Sequence, residues 1–196
     1  MRYHMAMDSS RLHELIERIG VLLRTEARRL GADAALQPVH LQALLYLERC
    51  NRYSNTPAAL GAYLGQTKGT VSQSLKLLER EGYLTKRDDP DDRRVVRLAL
   101  TARGRGLLAE TAAARAWSRA EATLAEHERK AMTEGLERLL QGLQRAHGGR
   151  TFGICRSCRH FQTVSEGGHR CGLTGEALSD SDSRLICHEH EWQGSA

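Results

Sequence analysis

The chain has 196 residues, 40% hydrophobic and 27% charged, with a formal net charge of +5 at pH 7. That length can bury one good core with room for a small second module, and no stretch approaches the roughly 20 apolar residues of a membrane span. Positive charge is concentrated early, with 25 Lys and Arg against 18 Asp and Glu in residues 1–150 and 4 against 6 thereafter, which suits phosphate attraction by the first part. The opening Met1-Arg2-Tyr3-His4-Met5 lacks the apolar core of an export signal, so a cytoplasmic protein without a membrane partner is expected. Leu12, Leu15, Ile16, Ile19, Leu22, Leu23, Ala27 and Leu30 then recur at intervals of one to four residues that keep them on one helical stripe, predicting a long amphipathic helix stopped by Gly31.

Pro38 is placed to start a second helix through Leu41, Leu44, Leu45 and Leu47 that fades near Asn51. Cys50, near its end, reads as a small buried hydrophobe, with thiol sensing as the alternative. Thr56 as N-cap and Pro57 at the first position open a short helix through Leu60, Tyr63 and Leu64, closed by Gly65. Gln66 and Thr67 lead at once into another helix, the tight connection that a helix-turn-helix needs.

That helix runs from Thr67, a possible N-cap, to a glycine stop at Gly82. At about 100° per residue, Val71, Leu75 and Leu78 share one face, and Gly69, Ser72, Gln73 and Lys76 lie opposite, flanked by Lys68 and Thr70. The outer face has no carboxylate. Such a face suits a DNA major groove, because Gln can bond adenine bidentately, Lys can reach guanine or phosphate, and a Thr methyl can pack on thymine. A solvated surface helix is the competing reading.

Tyr83 to Arg87 reads as a strand, Asp88-Asp89-Pro90-Asp91-Asp92 as a turn, and Arg94 to Leu100 as a returning strand. A hairpin directly after a helix-turn-helix is the wing of a winged helix. Arg93 or Arg94 at its tip could enter a minor groove, with nearby aspartates fixing the guanidinium geometry through charge-assisted hydrogen bonds.

Here the sequence resembles the MarR (multiple antibiotic resistance regulator) family of winged-helix transcription factors. The family's wing signature, Asp-x-Arg, five residues, then Leu-Thr, is matched by Asp92-Arg93-Arg94, Val95 to Ala99 and Leu100-Thr101. Gly69-Thr70-Val71-Ser72-Gln73 and Leu78-Glu79-Arg80-Glu81-Gly82-Tyr83-Leu84 match as well. The resemblance covers roughly residues 10 to 148. It implies a homodimer on a pseudo-palindromic operator in double-stranded DNA, often controlled by a small-molecule effector or by thiol oxidation. The effector's cleft, between dimer helices and winged domain, is likewise expected only by resemblance.

Thr101 can cap a helix from Ala102 towards Ala125, carrying Leu107, Leu108, Trp117 and Leu124. A second, from about Glu128, carries Met132, Leu136, Leu139, Leu140 and Leu143 and ends at Gly148-Gly149. The winged domain gives these stripes too little to cover, so a helical dimer interface is expected, with the two recognition helices one DNA turn apart, on the order of 34 Å.

Beyond residue 150 the sequence leaves the common family pattern and carries Cys155, Cys158, Cys171 and Cys187. A Cys-x2-Cys knuckle lets two thiolates meet one tetrahedral ion from a tight turn, and two later cysteines complete a set of four. The surrounding chain is rich in glycine, with only Phe152, Ile154, Phe161, Leu173, Leu178, Leu185, Ile186 and Trp192 for a core, and so small a core needs a staple. Zinc is the expected cofactor. Replacement of one cysteine by His160, His169, His188 or His190, disulfides, an iron–sulfur cluster and a free-thiol switch stay open.

The expected fold is mainly α. Residues 1–36 form an N-terminal dimerisation helix, 37–101 a winged helix-turn-helix, 102–149 C-terminal dimerisation helices, and 150–196 a small loop-rich zinc-binding extension. The expected function is a non-enzymatic, homodimeric, sequence-specific transcriptional regulator, a repressor, using Lys68, Thr70, Ser72, Gln73, Lys76, Arg93 and Arg94 on DNA and the four cysteines on a structural zinc. A redox or metal sensor acting through the cysteine module is one alternative. The other is a protein-interaction adaptor without specific DNA binding. No nucleophile, base and orienter set, phosphate loop or open metal-site motif suggests an enzyme.

Overall fold

A computed structural model describes residues 11–33, 35–90, 92–109, 112–146, 151–164 and 167–193. Helix α1 spans Arg11–Asp33, α2 Pro38–Arg49, α3 Pro57–Leu64 and α4 Lys68–Arg80. Strands β1 (Leu84–Asp88) and β2 (Val96–Leu100) form an antiparallel hairpin that pairs Leu84 with Leu100 and Asp88 with Val96. Helices α5 (Ala102–Ala109), α6 (Ala112–Glu121) and α7 (Glu126–Ala146) follow. The C-terminal module adds β3 (Gly153–Ile154), β4 (Phe161–Thr163), β5 (His169–Cys171), β6 (Ala177–Leu178) and β7 (Ile186–Cys187), in a β3–β7 pair and a β4–β5–β6 sheet. The protein is mainly helical with a small wing. Among the described residues no helix is long and apolar enough to cross a membrane.

Local signals account for the helix-turn-helix. Thr56 Oγ1 accepts from Ala59 N at 3.2 Å at the start of α3, and Thr67 Oγ1 accepts from Thr70 N at 3.3 Å at the start of α4. Between them Gly65 adopts φ 62°, a left-handed conformation that lets α3 end and α4 begin within three residues. Val71, Leu75 and Leu78 of α4 then meet Leu41 and Leu44 of α2, Leu60 of α3, and Leu84 and Leu98 of the wing in one buried core. The turn from wing to α5 is equally tight. Thr101 Oγ1 donates to Gly82 O and accepts from Gly104 N, and a Cβ at Gly104 would lie 2.2 Å from Tyr83 O.

Three expectations about helix limits need correction. Helix α1 passes through Gly31 to Asp33, since one interior glycine costs only about 1 kcal/mol, and the positive φ of 52° falls at Ala35 instead. The helix expected from Ala102 towards Ala125 is represented by α5 and α6, and α6 ends at Glu121 with Thr123 donating its hydroxyl to Ala120 O. Helix α7 starts at Glu126, two residues early, where Glu128 reaches back to Ala125 N at 2.7 Å as a cap. The expected stop at Gly148-Gly149 lies outside the described residues.

Burial divides the helices. The winged core excludes water, whereas α7 buries none of its residues and Met132, Leu136, Leu140 and Leu143 are exposed. Leu12, Leu15, Ile19, Leu22 and Leu23 of α1 and Trp117 of α6 are exposed too. An open apolar hollow between α1, α6 and α7 is lined by Ile19, Leu23, Trp117, Leu124, Met132 and Leu136.

Candidate functional site

The first candidate surface is the outer face of α4. Lys68, Thr70, Ser72, Gln73 and Lys76 are all exposed, while Val71, Ser74, Leu75 and Leu78 are buried beneath them. The six-residue run to Gln73 carries only small, amide or basic side chains, so the surface offers donors and one positive end to a partner. Glu79, the first carboxylate on the helix, is taken up by Lys86 of the wing at 2.6 Å.

The wing brings a second basic element to the same side. Lys68, Ser72, Lys76, Lys86 and Arg94 line one groove between α4 and the hairpin. Arg94 is held as expected, its Nε and terminal nitrogen each donating to Asp92 at 2.9 Å, and Arg94 N also bonds Asp92. The guanidinium holds the Asp92 carboxyl below the usual range, and its side chain stays 90% exposed, aimed but not covered. Arg93 is also exposed. Asp91 lies outside the described residues, but Asp89 serves a different arginine, Arg97, at 2.5 Å.

Arg97 did not stand out in the sequence, yet it anchors the wing. Its other nitrogen donates to Arg52 O at 2.8 Å and Asn55 Oδ1 at 3.2 Å, and Leu98 N bonds Asn55 O at 2.8 Å. The 50–55 loop after α2 therefore supports the hairpin from behind. An arginine in a strand gives no local sign of this.

The second candidate is the cysteine cluster. The β3–β7 ladder sets Gly153 opposite Cys187, just ahead of Cys155, and a single turn of 3-10 helix (Cys155–Ser157) carries the chain to Cys158, whose N bonds Cys155 O at 3.0 Å. The β4–β5 ladder sets Phe161 opposite Cys171. All four cysteines thus line one cavity of about 280 Å³, together with Asn51 and Arg97 of the winged domain. Cys155, Cys158 and Cys187 are buried and Cys171 is half-buried, and no disulfide links them. The Cys155 thiol's hydrogen bond draws Cys187 down to about 6, and the same bond together with burial pushes Cys155 up.

As they stand, no three or more Cys, His, Asp or Glu side chains among the described residues are arranged to hold a metal ion. The thiols converge on a shared cavity but spend their contacts on one another and on nearby N–H groups. Of the histidines, His160 and His188 also line the cavity, but His188 bonds Ser54 and Glu189 and His160 pairs with Glu191. His169 is taken by Asp180. His190 packs edge-on against Trp192 and so close to Gly153 that a Cβ there would lie 2.6 Å from its Nε2. Leu173, expected in the module's core, is 51% exposed, whereas Leu178, Ile186 and Trp192 are buried.

Cys50 is buried, and desolvation pushes its thiol up to about 12, which suits a small core residue rather than a reactive thiolate. Its neighbour Asn51 proves more informative. Asn51 Oδ1 accepts from Tyr53 N and Ser54 N, and Nδ2 points to Cys155 Sγ at 3.7 Å. The Asn-x-x-Ser spacing is a readable turn signal, but the sulfur partner 104 residues away is not.

A sequence model of the MarR family matches residues 36–95, from just before α2 to the wing tip, and leaves the cysteine module outside. Streptococcus pneumoniae FabT, solved in complex with DNA, is similar at 27% identity and TM-score 0.55, covering 71% of this chain and 99% of that one. S. aureus MepR in its DNA-binding conformation (24%, TM-score 0.58, 67% and 97%) has a similar fold. So has a MarR transcriptional regulator from Methanosarcina mazei Go1 (22%, TM-score 0.54, 68% and 99%). No curated protein matches the chain.

Proposed function

We propose that this chain, a winged helix-turn-helix protein of the MarR family, is a homodimeric transcriptional regulator, a repressor, that reads a pseudo-palindromic site in double-stranded DNA. The observation that carries the reading is the shared groove of α4 and wing. Lys68, Ser72 and Lys76 open on one side of it and Arg94 on the other, with no unpaired carboxylate among the α4 residues between Lys68 and Lys76. The N-terminal half of a recognition helix meets base edges in such folds, while the wing reaches the flanking minor groove. The DNA complex of FabT supports carrying this to the present chain.

Within that interface Gln73 and Lys76 read bases, Lys68, Thr70 and Ser72 hold register on base edges or phosphates, and Arg94, with Arg93 beside it, takes the wing contact. The apolar faces of α1, α6 and α7 support the dimer reading. Eleven large hydrophobic residues along helices of 23, 10 and 21 residues stay 42–54% exposed in the single chain. A facing copy would cover them.

Selection from random duplexes tests the reading. A two-fold symmetric site should emerge, bound far more tightly than unrelated duplex. Gln73→Ala should then cost about 1–3 kcal/mol of discrimination at one position of each half-site, and Arg94→Ala should lower the salt slope by about 0.9 per lost phosphate contact. Binding without sequence preference would favour the adaptor reading.

A further inference from the structure

We propose that Cys155, Cys158, Cys171 and Cys187 hold one tetrahedral zinc ion, and that this centre steadies the DNA-binding wing through Asn51 and Arg97. The donor chemistry fits the ion. Four sulfur ligands in tetrahedral array suit zinc, and the four cysteines already border a single cavity although they lie on three separate stretches of chain. Two of the sulfurs are also met by N–H donors that favour thiolate, Glu191 N at 3.5 Å from Cys158 Sγ and Asn51 Nδ2 at 3.7 Å from Cys155 Sγ. Loading the ion must draw these sulfurs together, since as they stand they form no metal-holding group among the described residues. The module has little else to hold it, since its buried side chains are few.

The link to the wing is a continuous chain of contacts. From the module, Ile186 O accepts from Asn51 N at 2.8 Å and His188 N donates to Ser54 Oγ at 2.9 Å, while Asn51 reaches Cys155. From the same loop, Arg52 O and Asn55 hold Arg97, and Arg97 holds Asp89 at the wing turn. Arg97 also lines the cysteine cavity. When zinc binds, its bonds to the four sulfurs displace whatever protons the thiols still carry, those protons pass to solvent, and no electrons change hands. The centre becomes formally dianionic beside the Arg97 guanidinium, adding a second counter-charge to Asp89. Metal loading therefore favours the arginine pose that clamps hairpin to loop.

The metal site stands apart from the DNA-binding reading, and only its effect on operator affinity rests on it. The test uses the full chain purified without added metal. Mass spectrometry should find about one zinc per chain, and cobalt(II) exchanged for it should give the intense sulfur-to-cobalt absorption of a four-thiolate site. Cys171→Ser should abolish that spectrum, whereas Cys50→Ser should leave it. Hydrogen exchange at residues 51–55 and 86–98 should quicken severalfold after chelation, and Asn51→Ala or, if that variant does not fold, Arg97→Lys should keep the zinc but shrink this difference.

No metal in the folded chain, or iron with labile sulfide, would overturn the zinc site. Bound zinc with wing exchange indifferent to chelation would overturn the coupling. Zinc and coupling intact in a protein without a preferred duplex would reject the DNA reading alone.

Discussion

Helices α4 and α7 carry the same kind of apolar stripe and meet opposite fates. Over 13 residues α4 buries Val71, Leu75 and Leu78, whereas α7 buries nothing over 21. Periodicity alone cannot tell these helices apart. The first closes a core made by its own chain, and the second, with α1 and α6, offers half of one. The protein thus joins a domain closed by internal packing to helices whose apolar faces stay open in the single chain, and the proposed operator binding would draw on both.

The sharpest way to break that comparison is to charge the exposed half. Leu136→Glu with Leu140→Glu should turn the dimer into monomers by sedimentation while the circular dichroism of the winged domain persists. Operator affinity should fall about 10²–10⁴-fold, the gain that comes from tethering two half-site readers. A variant that stays dimeric would move the interface elsewhere. The internal core should respond differently. Leu78→Ala, at a fully buried site, should cost about 2–5 kcal/mol in denaturant unfolding without changing oligomeric state in the folded protein.

The smallest effect concerns the first turn of α2. His40 is buried and accepts from Gln37 N through Nδ1 at 3.1 Å, so it is held neutral, and desolvation lowers its pKa below 6.5. The unfolded chain takes up the proton more readily, so this contribution is present above pH 6.5 and is lost as pH falls through 6.5 towards the folded pKa. Denaturant midpoints from pH 7.5 to 5 should fall in the natural chain more than in His40→Gln, after matching for carboxylate effects.

What could be read from the sequence is what neighbouring residues decide together. Thr56 with Pro57, Gly65, Thr67 and the Asp92–Arg94 pair each act over two or three residues, and each appears as expected in cap, turn and ion pair. Gly31 misled because a glycine's cost in a helix is small and its neighbours outvoted it. The cysteines announced themselves by the Cys-x2-Cys spacing, but nothing in their spacing showed that the cavity they share also has Asn51 and Arg97 in its wall.

By itself, the sequence was sufficient for the helix-turn-helix, the wing and the basic face of α4, because capping, turn chemistry and the 3.6-residue period are local. Only the tertiary structure decided which stripes are covered, that Gln144 of α7 would grip both Phe152 O and Trp192 Nε1, and that the cysteine module would rest on the loop supporting the wing. Those contacts join residues from 8 to more than 100 positions apart. Their energies come from surfaces meeting in space, and a stretch of chain holds no record of the surface it will meet.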